Sequence, residues 1–196
     1  MRAFTKRAVA LTAVGAAASA AVMIGAGAAS AAVTAGTITL TINDSYVAQL
    51  AKAGVAIVPQ DAASVTYDSS AGTVSITFTV TGGTGSLDNY AGAVDAGGAL
   101  LAFSFDKGLH TASLASLNLN VFNDSFDATP SGGSDTPLLD LNGDISASID
   151  DPAQSIAADQ LTIDPAGAAL LNADLHTAAF TADENIGTFS AAWTEG

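Results

Sequence analysis

The side chains with most to offer chemically are two histidines, His110 and His176, and the acidic run Asp140-Leu141-Asn142-Gly143-Asp144. An imidazole is the commonest general base of a hydrolase, but it needs a nucleophile and an orienting partner in reach. His110 sits in Leu109-His110-Thr111 and His176 in Leu175-His176-Thr177. Neither belongs to a Gly-x-Ser-x-Gly elbow, a His-Glu-x-x-His helix or a phosphate-cradling glycine loop. Both are read as hydrogen-bonded residues at element boundaries. A carboxylate pair of glycosidase type remains open, since spacing across strands is invisible in sequence. With Trp193 the one tryptophan, however, an aromatic sugar platform is poorly supplied.

The acidic run invites a hard cation. Asp140, Asn142 and Asp144 alternate like the start of a calcium loop, and Asp151 falls where such a loop places its last ligand. Against calcium, Ile145 occupies the position that wants glycine, Asp151 replaces the usual Glu, and the flanks read as strands. Asn142-Gly143 is also the preferred centre of a two-residue hairpin, which is the expected structure. Asn123, Asp124 and Asp127, followed by Thr129-Pro130-Ser131-Gly132-Gly133-Ser134-Asp135, read as a solvated, mobile loop.

Composition excludes several functions. There is no cysteine, hence no disulfide, thiolate nucleophile or Cys-ligated metal. Nineteen acidic residues stand against five basic ones. Arg2, Lys6 and Arg7 form the basic start of an export signal, Ala8 to Ile24 an apolar run, and Ala29-Ser30-Ala31 a small-x-small cleavage site. Residues 1–31 are thus expected to be a signal peptide, and residues 32–196 a single secreted domain, released or loosely held at the cell wall. That domain keeps Lys52 and Lys107 as its basic residues and has no arginine. Phosphate backbones and anionic lipids are repelled, so no nucleic-acid partner is expected.

Positioning falls to strands. Ile38, Leu40 and Ile42 alternate with threonines, and Val74, Ile76, Phe78 and Val80 with Ser and Thr, as half-buried strands do. Further strands are predicted at 55–58, 64–67, 100–105, 114–122, 138–141, 145–149, 160–163 and 187–193. Gly82-Gly83, Gly97-Gly98, Gly132-Gly133 and Asn142-Gly143 are read as turns between them. Two short helices are predicted, one following Asn43-Asp44-Ser45 and stopped at Gly54, the other capped by Asp164 with Pro165 at its first position. The result is an all-β fold, a β-sandwich or open barrel of about nine to eleven short strands. Leu40-Thr41-Ile42-Asn43-Asp44 and Leu161-Thr162-Ile163-Asp164 look alike, and as a repeat would place a helix at each of two opposite ends.

The stretch Leu161 to Asn172, continuing through Phe180 to Gly187-Thr188, resembles the closing motif of small secreted actinobacterial proteins of unknown function. Leu50 to Pro59, Gly82-Gly83 and Gly97-Gly98 resemble their N-terminal half. The closing segment is also similar to that of HtaA-type haem-binding domains, which are β-rich and use a tyrosine as iron ligand with a histidine nearby. That similarity nominates Tyr46, Tyr67 or Tyr90, with His110 or His176. The chain lacks the tryptophan-led, arginine-containing opening that carries the ligand tyrosine there, so no haem ligand is transferred. The expectation is a monomeric or weakly associating, non-enzymatic extracellular binding or structural domain without a cofactor, facing an unknown protein or cell-wall partner. A calcium- or haem-associated surface protein is the alternative, and an extracellular hydrolase the third reading.

Overall fold

The computed structural model describes residues 32–62, 64–105 and 108–196. The expected signal peptide lies outside these residues. In chain order the elements are β1 (Val33–Asn43), α1 (Asp44–Lys52), β2 (Val55–Gln60), β3 (Ser64–Asp68), β4 (Thr73–Gly83), β5 (Ala93–Ala96) and β6 (Ala99–Ser104). There follow β7 (His110–Asn120), β8 (Ser125–Pro130), β9 (Thr136–Asp150), β10 (Ala153–Ile163), α2 (Pro165–Asp174) and β11 (Asn185–Glu195).

Alternation sets the first pairings. Ile38 and Leu40 of β1 lie opposite Phe78 and Ile76 of β4, while the intervening threonines pair with hydroxyl residues. Thr39 and Thr77 are joined by a 3.1 Å hydrogen bond, and Thr41 and Ser75 by one of 3.2 Å. The strands continue in the order β7-β5-β4-β1-β11-β10-β9-β8, and β8 pairs back onto β7. Eight strands therefore close into a barrel, the barrel arm of the sequence expectation carried to full closure. Closure removes the edges that an open sheet would expose along those strands.

Three strands lie outside the closed set. β6 pairs with the first half of β7 and β5 with its second half, so β5 and β6 are one run along β7, offset by a residue at Gly97-Gly98. β2 adds to β6, and β3 adds to the first half of β4. Gly98 takes φ +100°, and a Cβ there would meet the Gln60 carbonyl oxygen at 2.6 Å. Only glycine fits that kink.

Inside the barrel Phe78, Phe126 and Phe189 form a chain, with ring centroids 6.5 Å and 6.2 Å apart. One end is closed by the segment after β4: the Trp193 indole N–H donates to the Gly85 carbonyl at 3.0 Å, and the Leu87 amide to Gln154 at 2.7 Å. Both helices sit at the other end. β1 and β10 each run antiparallel to β11 and hence parallel to each other, so the helices that follow them emerge together. The predicted placement at opposite ends is corrected by that one intervening strand.

Other boundaries also change. Residues 138–141 and 145–149 are one strand, with Asn142-Gly143 inside β9 and not a hairpin; the turn comes at Asp151-Pro152. Gly82-Gly83 likewise belongs to β4. The supposed mobile loop contains β8, whose Phe126 and Asp127 are buried. β5 was not predicted at all.

Phe78 is 0 % exposed and central to the interior chain of rings, whereas Thr77 makes one hydroxyl contact across to Thr39. Phe78→Ala is expected to cost ~3–5 kcal/mol and Thr77→Ala ~1 kcal/mol or less. Denaturant unfolding of the two variants checks this, and equal losses would refute the interior assignment of Phe78.

Candidate functional site

Above the phenylalanines the barrel is unfilled. An apolar cavity of about 320 Å³ opens between the two helices and the splayed strands, at the small end of the ~300–1,000 Å³ range of ligand pockets. Leu40 and Ile42 of β1, Val74 and Ile76 of β4, and Leu100 and Ala102 of β6 contribute walls. Leu50 of α1 and Leu171 of α2 cover it, with Phe180 beyond. Val47, Ile57 and Val65 line it and are also exposed, which marks its mouth between α1, β2 and β3.

The opening follows from strand pairing. β4 and the β5–β6 run are neighbours at Val80 to Gly83, but toward the helix end β4 takes β3 and β6 takes β2. The two pairs diverge, and the gap is roofed by the helices. α2 is seated by a close backbone approach: a Cβ on Gly167 would lie 2.7 Å from the Leu138 carbonyl oxygen. Its N-terminus is fixed by Asp164, whose carboxylate accepts from the Ala166 and Gly167 amides at 2.6 and 3.3 Å, while the Asp164 amide donates to the Leu138 carbonyl at 3.0 Å.

Tyr46 brings the one polar side chain among the described lining residues. Burial, and then the Glu184 carboxylate, push its phenol pKa up, so it stays neutral. Glu184 is itself held by the Gln49 amide at 3.1 Å. Tyr67 and Tyr90 are 63 % and 48 % exposed and do not line the cavity. His110 and His176 stack on one another, centroids 4.1 Å apart and planes 10° apart, and neither lines the cavity. These donors do not fit a haem: no cation is among the described lining residues to meet carboxylates, and burial and the Glu184 charge both oppose a tyrosinate at Tyr46.

The candidate calcium residues are strung along one strand. Asp140 lies mid-β9, Asn142 donates to the Thr162 hydroxyl at 2.6 Å, and the Asp144 amide donates to Asp159 at 2.8 Å. Asp151 stands in the turn after β9, roughly 35 Å along the extended chain from Asp140. Asp140 instead keeps company with Asp164, Asp183 and Asp127. Among the described residues, no group of three or more His, Asp or Glu side chains has metal-holding geometry. Sequence reading missed this carboxylate grouping and the cavity itself, and the one signal for the former was Asp164 as a helix cap.

Burial, and then the neighbouring Asp164, Asp183 and Asp127, raise the Asp140 pKa to about 6. Asp127, 4 % exposed, is also shifted up by burial, opposed by hydrogen bonds from Ser125 at 2.6 Å and Asn120 at 3.2 Å.

Comparison with solved structures finds the C-terminal domain of HtaA from Corynebacterium glutamicum, at a TM-score of 0.57 and 14 % identity, covering 85 % of this chain and 100 % of that one. The chain shares the fold of that domain. No family model matches the sequence, and no curated protein matches it. No helix among the described residues is long and apolar enough to cross a membrane.

A carboxyl whose pKa is raised on folding stabilises the fold while protonated and loses that contribution as it ionises. Stability is therefore expected to fall as pH rises from about 4, where an unfolded Asp titrates, through the Asp140 value of about 6. Asp140→Asn should flatten that slope. Denaturant midpoints of both proteins across the interval test the assignment, and an unchanged slope in the variant would remove Asp140 as its source.

Proposed function

We propose that this chain is a secreted, monomeric, non-enzymatic binding domain of the extracellular or cell-wall space, and that its ligand is an apolar small molecule held in the barrel mouth. The observation that carries this reading is the cavity between α1, α2 and the diverging strands, walled by aliphatic side chains and open beside Val47, Ile57 and Val65. An unfilled apolar space of this size forfeits packing that a native core would normally make, and an apolar ligand restores it. The likeness to the HtaA domain supports the barrel fold that frames this cavity. The histidine stack lies outside the cavity and supplies it with no general base.

Butylbenzene, which has no hydrogen-bonding group, serves as the probe. It is expected to raise the thermal midpoint of residues 32–196, by an increment that grows with concentration. Ile76→Trp, which fills the space from β4, should abolish the shift while leaving a cooperative transition. A haem titration forms the second arm. A Soret band that disappears in Tyr46→Phe would put haem in place of the apolar ligand and overturn this reading.

A further inference from the structure

We infer that the cavity's ligand is a neutral lipid-like molecule, an aliphatic body with a single uncharged hydroxyl or carbonyl oxygen that hydrogen-bonds to Tyr46. This rests on the cavity being a ligand site and names the class of ligand it takes. Tyr46 brings the one polar side chain among the described lining residues, and the others are aliphatic, proline or phenylalanine. Burial, and then the charge of Glu184, keep that phenol neutral. A ligand oxygen that leaves water keeps its hydrogen bonding by pairing with that hydroxyl.

Charge decides the head group. An anionic head would enter a pocket with no cationic side chain among its described lining residues, beside the Glu184 carboxylate and on a domain whose lysines and arginines number two. It would lose hydration and gain repulsion. An ammonium head would lose hydration as well, because no carboxylate is among the described lining residues and Glu184, outside that lining, is already held by the Gln49 amide. An alcohol or ester oxygen loses little and pairs with a neutral phenol, which both donates and accepts. Tyr46 sits in the first turn of α1, so the same contact ties the ligand to the helix that roofs the site.

The experiment compares decanol, decanoate, decylammonium and butylbenzene by calorimetric titration at about pH 8, where both ions are charged, on the wild-type domain and on Tyr46→Phe. Decanol is expected to bind at least about tenfold tighter than either ion. Tyr46→Phe should weaken decanol by about three- to tenfold and leave butylbenzene unchanged. If either ion binds as tightly as decanol, or Tyr46→Phe leaves decanol unaltered while butylbenzene still binds, the head-group inference fails and the cavity reading stands. If neither butylbenzene nor decanol binds, both fail.

Discussion

Closure of the sheet through the β7–β8 pairing is the constraint on which the rest of the molecule depends. Eight strands wound around Phe78, Phe126 and Phe189 have a fixed circumference, so any strand length beyond the closed girdle must find other partners. β4 and the β5–β6 run both extend past it toward the helix end, and they do so with different neighbours, β3 and β2. Divergence of those two pairs creates an opening that the phenylalanines do not reach. The residue-scale device that permits it is Gly98, whose positive φ lets the β5–β6 run shift register where a side chain would strike the Gln60 carbonyl.

The helices turn that opening into a cavity. Their common placement is a consequence of β11 lying between β1 and β10, which makes the two preceding strands parallel. α2 is held at closest range, by Gly167 against Leu138 and by the Asp164 cap, while the carboxylates around Asp140 gather beside the same helix N-terminus. A helix N-terminus favours negative charge, which offsets part of the repulsion among Asp140, Asp164 and their neighbours. One group of carboxylates thus stands at this helix N-terminus but outside the described lining, whose side chains are hydrocarbon and one neutral phenol.

Much of the fold was legible locally. Alternation in Ile38-Thr39-Leu40-Thr41-Ile42 and in Val74 to Val80 marked β1 and β4, and Asp164-Pro165 marked the start of α2, because each pattern is a short-range property of backbone period or capping. β5 and the first part of β10 escaped notice: Ala-Val-Asp-Ala and Ala-Gln-Ser-Ile-Ala-Ala have little β propensity, and burial by neighbouring strands overrides it. Asn142-Gly143 misled because a hairpin dipeptide serves equally as a bulge, with Gly143 at φ +75°, when the partner strand runs on past it.

The sequence by itself determined an all-β, cysteine-free, strongly acidic domain with two short helices, since composition, period-two alternation and local helix-start signals survive any arrangement of the strands. Tertiary structure alone decided that the sheet closes, that both helices share one end, that Tyr46 enters an apolar pocket, and that Asp140 meets Asp164 and Asp127 in place of Asn142, Asp144 and Asp151. These depend on which distant strands pair and in what register. Pairing energies for such similar Thr-, Ala- and Val-rich strands differ too little locally to be read one strand at a time, and they are resolved only when the whole interior is packed at once.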